Sequence, residues 1–111
     1  MRGTALAWII LLGAAALECV WAIAFKQSDS FSRLWPSVVG VVTAVASIVL
    51  LAVALRHLPV GTAYAVWTGL GAVGVAVVGM LRFGESASPS RLLFLALILT
   101  GVIGLRFVEN G

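Results

Sequence analysis

Four long apolar segments, separated by short polar connections, dominate the pattern of this sequence. A helix needs about 20 residues to cross the hydrocarbon core of a bilayer, and each segment is close to that length. We therefore predict an all-α integral membrane protein with four transmembrane helices, over residues 4–25, 35–55, 60–81 and 89–107. A proline lies at the start of each of the last three segments, where a missing N–H costs a helix nothing. The connections are too short to fold separately, so we expect a single membrane domain over residues 1–111.

The composition agrees with a membrane protein and argues against several functions. Of the 111 residues, 62% are hydrophobic and 10% are charged, whereas soluble domains have roughly 25% charged residues. The net charge of +3 comes from basic residues scattered singly near the ends of the apolar segments, so nucleic acid is not an expected partner. The sequence has no apparent metal-ligand cluster, nucleophile and base pair, or phosphate-binding loop. We therefore expect that the protein is not an enzyme and binds no cofactor, and that any uphill transport by it uses an ion gradient.

One carboxylate, Glu18, lies in the middle of the first apolar segment. An ionisable side chain is costly at this depth in lipid, so by default it indicates a functional site. Ala14 and Ala15 precede it by one turn on the same helical face, and Trp21 follows it by one turn. A carboxylate beside an indole suits an organic cation, which pairs with the charge and lies against the ring. Glu18 is thus the predicted cation- and proton-binding group, and the alternative is a protonated structural residue bonded to a neighbouring helix.

Helix 3 carries the second candidate constellation. Tyr64, Trp67, Thr68 and Gly71 share one helical face, which places a phenol, an indole, a hydroxyl and a gap together. This face can oppose Glu18, with the phenol donating a hydrogen bond and Trp67 offering a π surface, or it can be an aromatic stripe of the core. The several glycines of helix 3 either admit close packing or loosen the helix into a hinge.

A buried serine on helix 2 is open to two interpretations. Ser47 lies deep in the second apolar segment. A serine in lipid can satisfy itself on the carbonyl four residues earlier in its own helix, or it can contact a ligand or Glu18. The sequence does not separate these alternatives.

Helix 4 carries small residues at a spacing of four, Ala96, Thr100 and Gly104. Such a stripe allows two helices to approach closely, so we predict that it is a dimer seam. Glu85, before this helix, and Glu109, after it, are interpreted as solvated residues.

The distribution of basic residues barely selects an orientation in the membrane. Four spans place Arg2, Arg56 and Arg106 on one side, and Lys26, Arg33, Arg82 and Arg91 on the other. We expect the side chains of Arg91 and Arg106, near the two ends of helix 4, to extend to the two membrane interfaces. A difference of four against three is weak by the positive-inside rule, so the chain can insert both ways and pair with an inverted copy.

Five motifs give the chain a close resemblance to the small multidrug resistance family, and within it to the guanidinium exporter subtype. They are E-C-V-W-A at 18–22, R-L-W-P-S at 33–37, L-P-V-G-T-A-Y-A-V-W-T-G-L-G-A-V-G at 58–74, G-E-S-A-S-P at 84–89 and G-V-I-G-L-R at 101–106. The likeness covers nearly the whole chain. The tryptophan three residues after the glutamate and the W-T-G triplet match the guanidinium subtype.

The resemblance implies an antiparallel homodimer in the bacterial inner membrane that exchanges protons for small guanidinium-type cations. It implies that Glu18 is the shared proton and substrate carboxylate, with Trp21, Ser47, Tyr64 and Trp67 lining the site. It also implies that helix 4 forms the dimer contact, and that the glycine-rich part of helix 3 bends differently in the two protomers.

Three positions depart from the usual pattern of that family. Ala15 stands where glycine is usual, Gln27 replaces a common aromatic residue, and Ser30 replaces a loop glycine that takes positive φ easily. These departures bear on substrate preference and loop geometry.

Two alternative functions stay open from the sequence. One is the same antiporter with a broader range that includes quaternary ammonium cations, which Trp21 and the W-T-G triplet oppose. The other is a non-transporting subunit that needs a different chain as its partner.

Overall fold

The computed structural model describes residues 2–108, and these residues form four helices. The helices are α1 (Arg2–Gln27), α2 (Leu34–Ala54), α3 (Val60–Arg82) and α4 (Pro89–Val108). All four are long and apolar enough to cross a membrane, so the predicted four-helix membrane architecture is confirmed. α1 extends two residues beyond the predicted 4–25 at each end. The predictions for the Arg2 side chain and for Glu109 lie outside the described residues.

α1 is the central helix, and it packs against both α2 and α3. Its buried residues Leu11 and Ala14 meet Ala63 and Val66 of α3 in the core. In residues 2–108, the backbone of α4 comes close to α3 alone. The result is a flat molecule, 45 × 35 × 17 Å, in which most of α4 is exposed.

Two cation–ring contacts show which helix ends lie together. The Arg106 guanidinium at the end of α4 lies 4.9 Å from the ring centre of Trp8, near the start of α1. At the opposite end, Lys26 Nζ lies 5.4 Å from the ring centre of Phe83, just after α3. The α1–α2 and α3–α4 connections therefore share one end of the molecule.

The prolines and one serine set the helix starts. Pro59 is the extended N-cap residue of α3, with φ −60° and ψ 140°, and Pro89 is the first residue of α4. The Arg91 backbone N–H donates a 3.3 Å hydrogen bond to Ser88 Oγ, as expected when a serine precedes the first turn of a helix. Ser88 is therefore the N-cap residue of α4.

The α1–α2 connection is a strained turn built on a buried serine. Ser28 Oγ donates to the Phe25 carbonyl at 2.7 Å and accepts from the Phe31 N–H at 3.1 Å. Three consecutive residues then have positive φ, 49° at Asp29, 60° at Ser30 and 68° at Phe31. The expectation that Ser30 occupies a position suited to glycine is therefore confirmed, because its backbone is left-handed.

Candidate cation site

The Glu18 carboxylate packs directly on the backbone of α3 at Gly71. A Cβ at Gly71 would overlap Glu18 Oε1, so only glycine leaves room for the carboxylate there. Glu18 Oε1 is buried and, among the described residues, has no hydrogen-bond partner. Buried polar atoms in native proteins are almost always paired, so an unpaired one calls for an explanation. A site that receives a proton or a cation provides one.

The glycines of α3 act as gaps for neighbouring side chains. Cys19 fills the space at Gly74, and Val102 of α4 reaches to 2.8 Å from a Cβ built at Gly69. α3 remains one unbroken helix through both positions. In this structure the glycines thus serve close packing, the first of the two uses that the sequence left open.

A cavity of about 370 Å³ opens beside Glu18 between α1 and α3. It is lined by Glu18, Trp21, Ala22, Thr68, Gly71, Ala72, Val75, Ala76, Glu85 and Arg91. Trp21 Nε1 is buried without a hydrogen-bond partner in the described part of the chain, and the Trp21 ring lies 5.7 Å from that of Phe25. The structure therefore brings the predicted carboxylate and the predicted indole into one small, mostly apolar space.

Ser47 links its helix to α1 and α3 by hydrogen bonds, which neither interpretation from the sequence predicted. Its Oγ donates a 2.7 Å hydrogen bond to the Ala14 carbonyl of α1 and accepts a 3.0 Å bond from Trp67 Nε1 of α3. The bond runs to another helix rather than to its own, and it does not reach Glu18. Ala14 is one turn before Glu18, so this chain of bonds fixes the part of α1 that carries the carboxylate.

Tyr64 does not join the cavity of a single protomer. Its side chain is half-exposed, and its ring lies 5.6 Å from that of Trp67. Within residues 2–108, its hydroxyl makes no hydrogen bond to Glu18. Trp67 and Ser47 are buried behind α1 and do not line the cavity. Of the predicted lining residues, only Trp21 shares the cavity with Glu18 in one chain.

Two charged residues of the cavity, Glu85 and Arg91, were not predicted to belong to the site. Glu85, interpreted as solvated, is exposed, and its Oε1 also accepts a 2.8 Å hydrogen bond from Arg91 Nη2 in an ion pair. Arg91, which was expected to extend to the interface, directs its guanidinium towards the end of the helix, onto Glu85 and Ser86 of the α3–α4 connection. The sequence offered one signal for this ion pair, which is that the two opposite charges lie six positions apart on either side of the start of α4.

The chemistry of the cavity suits an organic cation rather than a metal ion. A carboxylate accepts paired N–H donors in a charge-assisted geometry, and an indole face attracts a cation. Among the described residues, no group of three or more His, Cys, Asp or Glu side chains could hold a metal. The inner part of the cavity is thus built from the Glu18 carboxylate, the Trp21 indole and small residues, and the Glu85–Arg91 ion pair lies in the same cavity.

Comparisons with known proteins place this arrangement in a family. The sequence model described as "Small Multidrug Resistance protein" matches residues 6–98. The chain belongs to the small multidrug resistance family. Among its relatives, the "Guanidinium exporter" of Citrobacter freundii is 56% identical over 101 residues, which cover 91% of this chain and 96% of that protein. The "Guanidinium exporter" of Yersinia pseudotuberculosis is 57% identical over 104 residues, covering 94% and 100%.

Family membership fixes the setting of the site. With four apolar helices and relatives named as exporters, the chain is a multi-pass protein of the bacterial inner membrane. The resemblance identified from the sequence is therefore confirmed at the level of the family. Relatives named as exporters also agree with the expectation of a transporter rather than an enzyme.

Proposed function

We propose that this chain exports guanidinium and small guanidinyl cations in exchange for protons. The observation that carries the proposal is the unpaired Glu18 carboxylate, packed on Gly71 in a cavity that it shares with Trp21. The relatives named as guanidinium exporters, at 56% and 57% identity, supply the substrate class.

The exchange follows from competition for one carboxylate. A guanidinium offers planar paired donors to the Glu18 oxygens, and its faces can stack on the Trp21 indole. A proton bound to the same oxygens excludes the cation, and a bound cation excludes the proton. Either ligand removes the cost of a bare charge at bilayer depth. If the site changes sides only when loaded, a proton gradient drives cation export.

The transporting unit in this proposal is an antiparallel homodimer joined through α4. Ala96, Thr100 and Gly104 are all exposed, and a Cβ at Gly104 would meet nothing within 4 Å. Val102, two residues from Thr100, points the other way onto α3 at Gly69. The small-residue stripe therefore faces away from its own protomer, as a seam with a second copy requires.

A second copy would also account for the remaining predicted lining residues. Tyr64 is half-exposed on α3, where it is available to a neighbouring protomer. Trp67 and Ser47 hold α3 and α2 against the turn of α1 that precedes Glu18. We propose that all three serve the site in the dimer, Tyr64 by contact and the other two by shaping its wall.

The test is uptake by the purified chain in liposomes with an imposed proton gradient. We expect saturable guanidinium uptake that a protonophore abolishes, and much weaker uptake of a bulky aromatic quaternary ammonium cation. Equal uptake of both cations would instead support the broader multidrug function. Absence of uptake of either cation by folded protein would refute the proposal and indicate a subunit that needs another chain.

A further inference from the structure

Two carboxylates lie over glycines on the same face of α3. Glu18 packs at Gly71, and the Glu85 carboxylate packs at Gly79 in the same manner, within overlap distance of a built Cβ. The two glycines are eight residues apart, so the carboxylates are separated by about two helical turns, or about 12 Å along the axis. Both line the same cavity.

The end of α3 holds Glu85 in this position. Gly84 has a φ of 67°, in the left-handed region that favours glycine. This turn brings the Glu85 N–H back to the Gly79 carbonyl at 3.1 Å. The Glu85 side chain is thereby directed along α3 rather than away from it, and 41% of it stays exposed, which marks the open end of the cavity.

The partner of Glu85 is itself a guanidinium group. Arg91 Nη2 donates to Glu85 Oε1 at 2.8 Å, and Arg91 Nη1 donates to the Ser86 carbonyl at 3.0 Å. The Arg91 side chain is 32% exposed. Exposed ion pairs contribute about 0–1 kcal/mol, so a free cation of the same chemistry can compete for the carboxylate.

The wall between the two carboxylates contains no competing charge. The described cavity residues between them are small or apolar: Ala22, Ala72, Val75 and Ala76. A cation released from Glu85 therefore meets the indole of Trp21 and the carboxylate of Glu18 as the next attractive groups.

We propose that Glu85 is a second, outer binding site for guanidinium-type cations, where an arriving cation displaces the Arg91 guanidinium before moving on to Glu18. The proposal rests on the proposed function, since it assumes the same substrate class. In it, Arg91 acts as an intramolecular competitor that keeps the outer site occupied when no substrate is present.

A pair of variants distinguishes this role from a structural one. Glu85→Gln removes the outer site and leaves Arg91 to repel cations, so the KM for guanidinium uptake should rise about two- to fivefold with kcat unchanged, as expected for an exposed pair. Arg91→Gln frees the Glu85 carboxylate, so KM should fall by a similar factor. An ion pair that only stabilises the α3–α4 connection would shift both variants in the same direction.

Matched controls are available in the other connection at the same end of the molecule. Asp29→Asn and Arg33→Gln make the same changes of charge at exposed residues that do not line the cavity. We expect neither to change KM by more than a small fraction. Equal shifts in the controls would mean that general surface potential, not Glu85, is responsible, and would overturn the proposal.

A binding measurement separates this inference from the proposed function. In Glu18→Gln protein, guanidinium titration followed by NMR of the Arg91 side-chain Nε–H should give a saturable shift, because displacement from Glu85 does not need Glu18 or transport. No shift, or the same shift in Glu18→Gln/Glu85→Gln protein, would overturn the outer site even if the wild type exports guanidinium. Absence of guanidinium uptake by the wild type would refute the proposed function, and the NMR titration would still decide whether Glu85 binds guanidinium.

Discussion

The contact between Glu18 and Gly71 gives the sharpest prediction about the site. In Gly71→Ala, the new Cβ would overlap the Glu18 carboxylate, which must then move by on the order of 1 Å to reach normal contact distance. A displaced carboxylate loses a charge-assisted hydrogen bond to the cation, worth about 1.5–3 kcal/mol. Since 1.4 kcal/mol corresponds to a factor of ten, guanidinium affinity should fall about 10- to 100-fold.

Gly71→Ala should lower guanidinium affinity without lowering the thermal stability of the protein. The group that must move is the end of a flexible side chain, and alanine is favoured over glycine inside a helix by about 1 kcal/mol. Calorimetric guanidinium binding and thermal unfolding in detergent would measure the two quantities on one preparation. Gly61→Ala is the control, since a Cβ there meets nothing within 4 Å. Wild-type affinity in Gly71→Ala would refute the placement of Glu18 against α3.

Three further predictions concern the fold and the dimer. Ser47→Ala leaves the Trp67 N–H unpaired in the core and should lower the free energy of unfolding by about 1–3 kcal/mol. The control Thr43→Ala loses only hydrogen bonding within its own helix and should lower that free energy less. Equal losses would contradict the role given to Ser47. Ser30→Gly should raise that free energy by about 1 kcal/mol, because it relieves a left-handed backbone, and an unchanged midpoint of thermal unfolding would argue against strain there. Ala96→Leu should reduce both the amount of cross-linked dimer in vesicles and guanidinium uptake. The control Ala52→Leu, on the exposed side of α2, should reduce neither. An unchanged amount of dimer in Ala96→Leu would show that this part of α4 is not the dimer contact.

The sequence was sufficient for the helices because their signals are local. Apolar length defines the four helices, and a proline marks where each of the last three begins, so these signals lie within the helix or next to its boundary. Glu18 could be identified for a related reason, since one carboxylate in an apolar helix is unusual whatever surrounds it. The position of Trp21 in the same cavity follows from the helical repeat, which places it one turn after Glu18 on the same face.

What the sequence could not supply depends on distant parts of the chain. The hydrogen bond from Ser47 goes to a carbonyl of α1, and any of several carbonyls on either neighbouring helix would have satisfied the same hydroxyl. The Glu85 and Arg91 pair depends on the left-handed turn at Gly84, which reverses the chain towards Gly79. The half-exposed position of Tyr64 depends on how α3 is rotated against α1, and helical spacing does not fix that rotation.

The most direct test of the central claim is proton flux coupled to guanidinium in liposomes that contain only this chain. Adding guanidinium to one side should drive protons to that side in the wild type, detected with a pH-sensitive dye. Glu18→Gln keeps the shape of the side chain and removes its ability to exchange a proton, so both guanidinium uptake and the proton signal should vanish. Guanidinium-driven proton flux that persists in folded Glu18→Gln protein would contradict an exchanger built on this carboxylate.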